Sequence, residues 1–110
     1  MRYVLTILMF LISTVCYGGY VTQNGLRIAK VLAGYDQGQV YFFLDKPPLN
    51  PQECNNSNSA NVVVVDPDKS DVSQILSILL LAKASDLPID IQVYDDYCLG
   101  GYAAIRRVGV

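Results

Sequence analysis

The chain has 110 residues, a net charge of −2 and no histidine or tryptophan. The missing histidine excludes imidazole acid–base catalysis and imidazole metal ligands. The acidic balance disfavours a groove that tracks phosphates, since Arg106-Arg107 is the only adjacent basic pair, so no nucleic-acid partner is expected.

Residues 1–18 read as a signal peptide. Arg2 supplies a basic start, Val4 to Val15 an apolar stretch, and Cys16-Tyr-Gly-Gly19 a junction of small or neutral residues, with cleavage expected after Gly18. The apolar run is shorter than the span of about 20 residues that a membrane helix needs, so no stable membrane span is expected after cleavage. A retained anchor and lipidation at Cys16 are the alternatives, and bulky Val15 argues against the second. Residues 19–110 then form one domain.

Leu26 to Ala33 reads as a long first strand, and Gly34-Tyr-Asp-Gln-Gly38 as a turn with a glycine at each end. Val40 to Leu44 is an aromatic-rich second strand that completes a hairpin. Lys46-Pro-Pro-Leu-Asn-Pro51 opens an irregular loop through Ala60, because proline lacks the amide donor that a sheet requires. Within it, Asn55-Asn-Ser57 matches a glycosylation acceptor, relevant only in a host that glycosylates secreted proteins.

Asn61 to Asp66 is a buried strand. A helix follows through Ile75 to Ala82, capped by Asp68 or Ser70 and with Asp71 near its positive end. Its inner face is expected to hold Val72, Ile75, Leu76, Leu79, Leu80 and Ala82. Ile78 and Leu81 break that pattern, either as scattered surface residues or as contacts to neighbouring subunits. Asp66, Asp68 and Ser70 mimic the start of a calcium loop, but Pro67 and the missing glycine and glutamate favour capping.

Pro88 ends the helix. Ile89, Ile91 and Val93 should then face inward from a strand, with Asp90 and Gln92 toward water. The segment from Tyr94 to Gly101 reads as a loop, and Tyr102 to Val110 as the last strand. Ile105 and Val108 can both face inward only if a bulge lies at Arg106-Arg107, unless the strand ends early. The element order is β-β-β-α-β-β. That makes a mainly β fold with one helix, and it is the order of the five-stranded OB-fold barrel.

Once residues 1–18 are removed, Cys54 and Cys98 remain, and in an exported chain one disulfide is the expectation. A metal site would need more ligands, and a catalytic cysteine a basic partner, both of which histidine would have supplied. No metal or cofactor is expected. The two loops that OB folds use for binding both pair tyrosine with aspartate: Tyr35 and Asp36 in one, Tyr94, Asp95, Asp96 and Tyr97 in the other. A flat ring beside a carboxylate suits a sugar, so these six are the candidate ligand-binding residues. Asp95-Asp96 makes a poor pair for glycoside hydrolysis, because adjacent side chains point apart. A binding protein is therefore expected, and not an enzyme. Its partner would be a glycan or, alternatively, another secreted or envelope protein with no small ligand.

The stretch Ile75-Leu-Ser-Ile-Leu-Leu-Leu-Ala-Lys-Ala-Ser-Asp-Leu-Pro-Ile-Asp-Ile-Gln-Val-Tyr94, followed by Cys98-Leu-Gly-Gly-Tyr-Ala-Ala-Ile105, resembles small bacterial secreted proteins similar to the binding subunit of subtilase cytotoxin. The shared pattern is a leucine-rich helix, an alternating strand, a cysteine and an isoleucine-bearing last strand. The resemblance implies an OB fold, an intramolecular disulfide and a secreted or periplasmic place in a Gram-negative bacterium. In that toxin five such subunits form a ring that binds sialylated glycans and carries an enzymatic subunit, so a homo-oligomer, a pentamer, is implied too. None of the toxin's sugar-contacting residues maps onto a position here.

Overall fold

A computed structural model of the chain describes residues 19–54 and 61–110. The signal segment, its cleavage point after Gly18 and the acceptor at Asn55 to Ser57 lie outside those residues.

Among the described residues the chain runs β1 (Tyr20–Leu26), β2 (Ile28–Leu32), β3 (Val40–Leu44), β4 (Val62–Val65), α1 (Val72–Ser85), β5 (Ile89–Leu99) and β6 (Tyr102–Gly109). The six strands form a single open sheet in the order β1-β5-β6-β4-β3-β2, antiparallel throughout except where β4 runs parallel to β6. Among the described residues the mainly β class, the single helix and the disulfide are as expected. The closed five-stranded barrel is not.

The extra strand comes from the amino end. The expected first strand, Leu26 to Ala33, begins in fact at Tyr20 and breaks at Arg27. Leu26 pairs with Ile89 of β5, whereas Ile28 pairs with Leu44 of β3, so the two halves occupy opposite edges of the sheet. Asp45 holds the break: its Oδ1 accepts the Arg27 N–H at 3.1 Å, and its own N–H donates to the Arg27 carbonyl at 2.9 Å. The Arg27 guanidinium reaches across to the Asp86 carbonyl and carboxylate at 2.6 and 3.1 Å. A register shift between Gln23 and Leu26 accommodates Gly25, whose φ of 71° suits a residue without Cβ.

The β2–β3 turn forms where expected, closed by the Gly38 N–H on the Tyr35 carbonyl at 2.9 Å. All four valines of β4 are buried, which explains why that strand reads as a continuous apolar run and not as an alternation. Ile89, Ile91 and Val93 are fully buried as the period-two pattern required. The bulge expected in the last strand is present. Gln92 faces Arg107 and Val93 faces Ile105, which leaves Arg106 as the extra residue and turns both Ile105 and Val108 inward.

Helix α1 packs on β2 and β6. Ile75, Leu79 and Ala82 form its buried stripe, with Val72, Leu76 and Ile78 on the flanks. Leu80 is not on the inner face, being 52% exposed like Leu81. At about 100° per residue it falls roughly 130° from the stripe's centre, and Leu81 lies about as far round on the other side. Neither Asp68 nor Ser70 caps the helix. Asp71 does, accepting the Gln74 N–H at 3.1 Å, while the Ser70 hydroxyl is taken by the carbonyls of Ile105 and Arg106 at 3.3 and 3.0 Å. Asp66 instead makes a turn, its Oδ1 accepting the Asp68 N–H at 2.9 Å. Asp86, left-handed with φ 52°, ends the helix ahead of Pro88.

Cys54 and Cys98 are joined, with Cα atoms 5.8 Å apart and a sequence separation of 44. The loop after β3 is further tied by Asn50, whose side-chain amide exchanges two hydrogen bonds with the Cys54 backbone at 2.8 and 2.9 Å.

Candidate functional site

The segment expected to be the second binding loop, Tyr94 to Gly101, is mostly strand. β5 continues to Leu99, and the turn is only Gly100-Gly101, both at positive φ. Between the pairs Val93–Ile105 and Cys98–Ala103, β5 places Tyr94, Asp95, Asp96 and Tyr97 against the single residue Ala104. Four of the six candidate residues therefore sit on one large bulge, the kind of irregularity that re-aims side chains at the edge of a ladder.

Tyr94 and Tyr97 lie side by side, ring centroids 5.0 Å apart. The Lys69 ammonium sits 3.8 Å from the Tyr97 ring centre and 5.4 Å from that of Tyr94, within cation–π range of both. The Tyr97 hydroxyl donates to Oδ2 of buried Asp66 at 3.2 Å. Asp95 is committed to β1: it receives the Gly19 N–H on Oδ1 and gives its own N–H to the Gly19 carbonyl. Asp96 is exposed.

Tyr35 and Asp36 belong to a different neighbourhood. The Tyr35 ring, 45% exposed, meets Tyr41 edge-on at 4.8 Å, and Tyr41 meets Tyr102 at 5.4 Å. This three-ring ladder stands beside the Gly100-Gly101 turn. The chain thus brings each expected group to its own tyrosine cluster, and the Gly34–Gly38 turn packs beside Pro67, next to the Asp66 that the Tyr97 hydroxyl reaches.

Burial raises the Tyr97 phenol well above its ordinary value, and the Asp66 carboxylate, by its charge and its hydrogen bond, raises it further. Burial is also the leading cause for Tyr41, ahead of Tyr35 and Tyr102. A phenol that holds its proton more tightly folded than unfolded stabilises the fold fully below the unfolded value of about 10, and that stability drains away as the pH rises beyond it. Urea unfolding of the wild type should therefore lose stability between pH 9 and pH 11, and Tyr97→Phe should lose less, retaining only the share due to Tyr41. Equal losses in the two proteins would refute the assignment. At neutral pH the Tyr97→Phe change should cost about 1.5 kcal/mol, the low end for one hydrogen bond on a carboxylate.

An open groove of about 470 Å³ lies where the start of α1 meets the bulges of β5 and β6. Lys69, Tyr94, Arg106 and Arg107 supply its polar wall, and Ile75 and Ile78 part of its floor. Of the six residues read from sequence, Tyr94 alone lines it. Arg106 is held in place twice, its guanidinium 4.5 Å from the Tyr20 ring and bonded to Gln92 Oε1 at 2.9 Å. Lys69, Arg106, Tyr20 and Gln92 were missed by sequence reasoning. The one available signal was the broken alternation at Arg106-Arg107, which marked a bulge but not where its cation would point.

No protein-family model, curated protein or solved structure matches the chain. What the groove does must follow from its own chemistry. Three cations against the single Asp71 carboxylate, with a tyrosine ring beside them, can hold an oxygen-rich or anionic ligand through charge-assisted hydrogen bonds and ring contact.

Proposed function

We propose that residues 19–110 form an OB-like, non-enzymatic binding module, exported to the periplasm or beyond, whose ligand is a glycan. The OB reading draws support from the connectivity: a meander through β2, β3 and β4, a helix after the third of these strands, and a β4–β6 parallel pair. In this reading β1 and β2 are the two halves of one OB strand, kinked at Arg27. Export rests on the signal-like residues 1–18, and the Gram-negative setting and pentameric ring on the resemblance to the toxin subunit.

The observation that carries the glycan reading is Tyr94 flanked by Lys69 and Arg106 in an open groove. A ring can lie on the apolar face of a sugar while fixed cations donate to its oxygens. A second reading, a protein–protein module with no small ligand, is favoured by the exposed Leu80, Leu81 and Leu87 on and after α1.

One experiment separates the two. Folded, disulfide-intact protein is applied to a glycan array beside the Tyr94→Ala and Leu80→Ser/Leu81→Ser variants. The glycan reading expects binding that Tyr94→Ala reduces at least about tenfold, the equivalent of about 1.4 kcal/mol, and that the leucine variant keeps. Absence of binding to every glycan, with a stoichiometric protein partner that only the leucine variant loses, would replace it with the second reading.

A further inference from the structure

Gly19 makes two contacts with the β5 bulge. Its carbonyl accepts the Asp95 N–H at 3.2 Å, and its nitrogen stands 2.6 Å from Asp95 Oδ1. These bonds carry the β1–β5 ladder one residue past the Tyr20–Tyr94 pair. A ladder nitrogen ordinarily meets a carbonyl, but this one meets a carboxylate. Asp90 makes a similar contact at the far end of β1, accepting the Gly25 N–H at 3.2 Å. The Gly25 nitrogen is a main-chain amide whatever the processing of the chain.

Gly19 differs, because the signal-like segment gives way to small residues at Gly18-Gly19. Hydrolysis of that peptide bond adds one water: Gly18 leaves with the new carboxylate, and the Gly19 nitrogen takes up a proton to become an α-ammonium. We propose that Asp95 is the counter-ion of the mature amino terminus, so that cleavage after Gly18 turns an amide–carboxylate hydrogen bond into an ion pair fastening the start of β1 to the bulge. The inference rests on the exported reading for the cleavage and on the observed geometry for the pair. It assigns Asp95 a part in maturation and removes it from the ligand-contacting set. It also places the new charge next to Tyr20, the ring on which Arg106 of the groove rests.

The test compares protein beginning at Gly19, its tag removed without trace, with the same protein acetylated at that terminus. Acetylation keeps an N–H donor and deletes only the charge. At low salt the free form should melt about 3 °C higher, as expected for a part-buried surface ion pair in a domain of this size. The difference should shrink in about 0.5 M sodium chloride, although a direct, part-buried pair is screened less than an exposed one. It should vanish in Asp95→Asn and persist in Asp90→Asn. Equal melting of the free and acetylated forms at low salt overturns the pair, as does a difference that survives in Asp95→Asn. Should Asp95→Asn fail to fold, the salt dependence of the wild-type difference decides alone. Intact-mass analysis of the exported protein should find Gly19 first. Another first residue overturns the inference while leaving export standing, and a chain retained inside the cell with Met1 overturns both.

Discussion

Protein carrying Cys54→Ser and Cys98→Ser together is expected to be about 4 kcal/mol less stable than the wild type, a fall of roughly 20 °C in melting temperature. The size follows from the chain the bond closes. With the two cysteines 44 positions apart, breaking it returns a large share of loop entropy to the unfolded state. Cys54 is buried at the end of a proline-rich loop, where Asn50 is its main tether, and Cys98 stands just past the four-residue bulge of β5. Beyond that bulge the ladder offers only the Cys98–Ala103 and Leu99–Tyr102 pairs before the turn. Thermal and urea unfolding of the double variant, with and without reductant, would measure the effect. A loss below about 1 kcal/mol would mean that the bond is incidental, and reductant should lower the wild type to the variant's level and leave the variant unchanged.

The elements legible in the sequence are those whose pattern is local. Val62 to Val65 is apolar on both faces, Ile89 to Val93 alternates, and Ile75, Leu79 and Ala82 recur at helical spacing, so each announces its own burial. Even the β6 bulge was visible, because Ile105 and Val108 cannot share a face in a regular strand. What stayed hidden depends on partners distant in sequence. Thr22-Gln23-Asn24-Gly25 carries no apolar alternation of its own, and is strand because β5 offers it an edge. Tyr94 to Leu99 looks like a loop for the same reason, its partners being Tyr20, Ala103 and Tyr102. The cap was misplaced by one to three residues because Asp68, Ser70 and Asp71 are all competent acceptors, and the fold gives the Ser70 hydroxyl other work on β6.

The site follows the same division. Tyrosine beside aspartate could be noticed in the sequence, but whether those groups are free could not. Asp95 is taken by Gly19 and the Tyr97 hydroxyl by Asp66, both far away along the chain. Lys69 and Arg106 reach Tyr94 and Tyr20 from the helix approach and from the last strand, and no local pattern links such residues. The chemistry of the groove is therefore readable here as a set of residue types, and its geometry only after the sheet has formed.

Leu79→Ala should be the other severe change, costing about 3 kcal/mol in urea unfolding with an unchanged slope. Leu79 is fully buried at the centre of the stripe that α1 presses onto the core, so truncation removes methyl groups from an apolar site and leaves a void. Leu80→Ala and Leu81→Ala, one and two residues further on, should each stay within about 0.5 kcal/mol, because those side chains already face water. The three are neighbours of identical chemistry in the same helix, so propensity cancels and the contrast isolates burial. A cost at Leu80 or Leu81 comparable to that at Leu79 would mean that the exposed pair is covered in solution, by a second copy or another protein, and would show up as a concentration-dependent melting temperature. The same helix carries Ile75 and Ile78 into the groove beside Tyr94. Loosening its seat at Leu79 should therefore weaken the proposed glycan binding as well, whereas Leu81→Ala should leave it untouched.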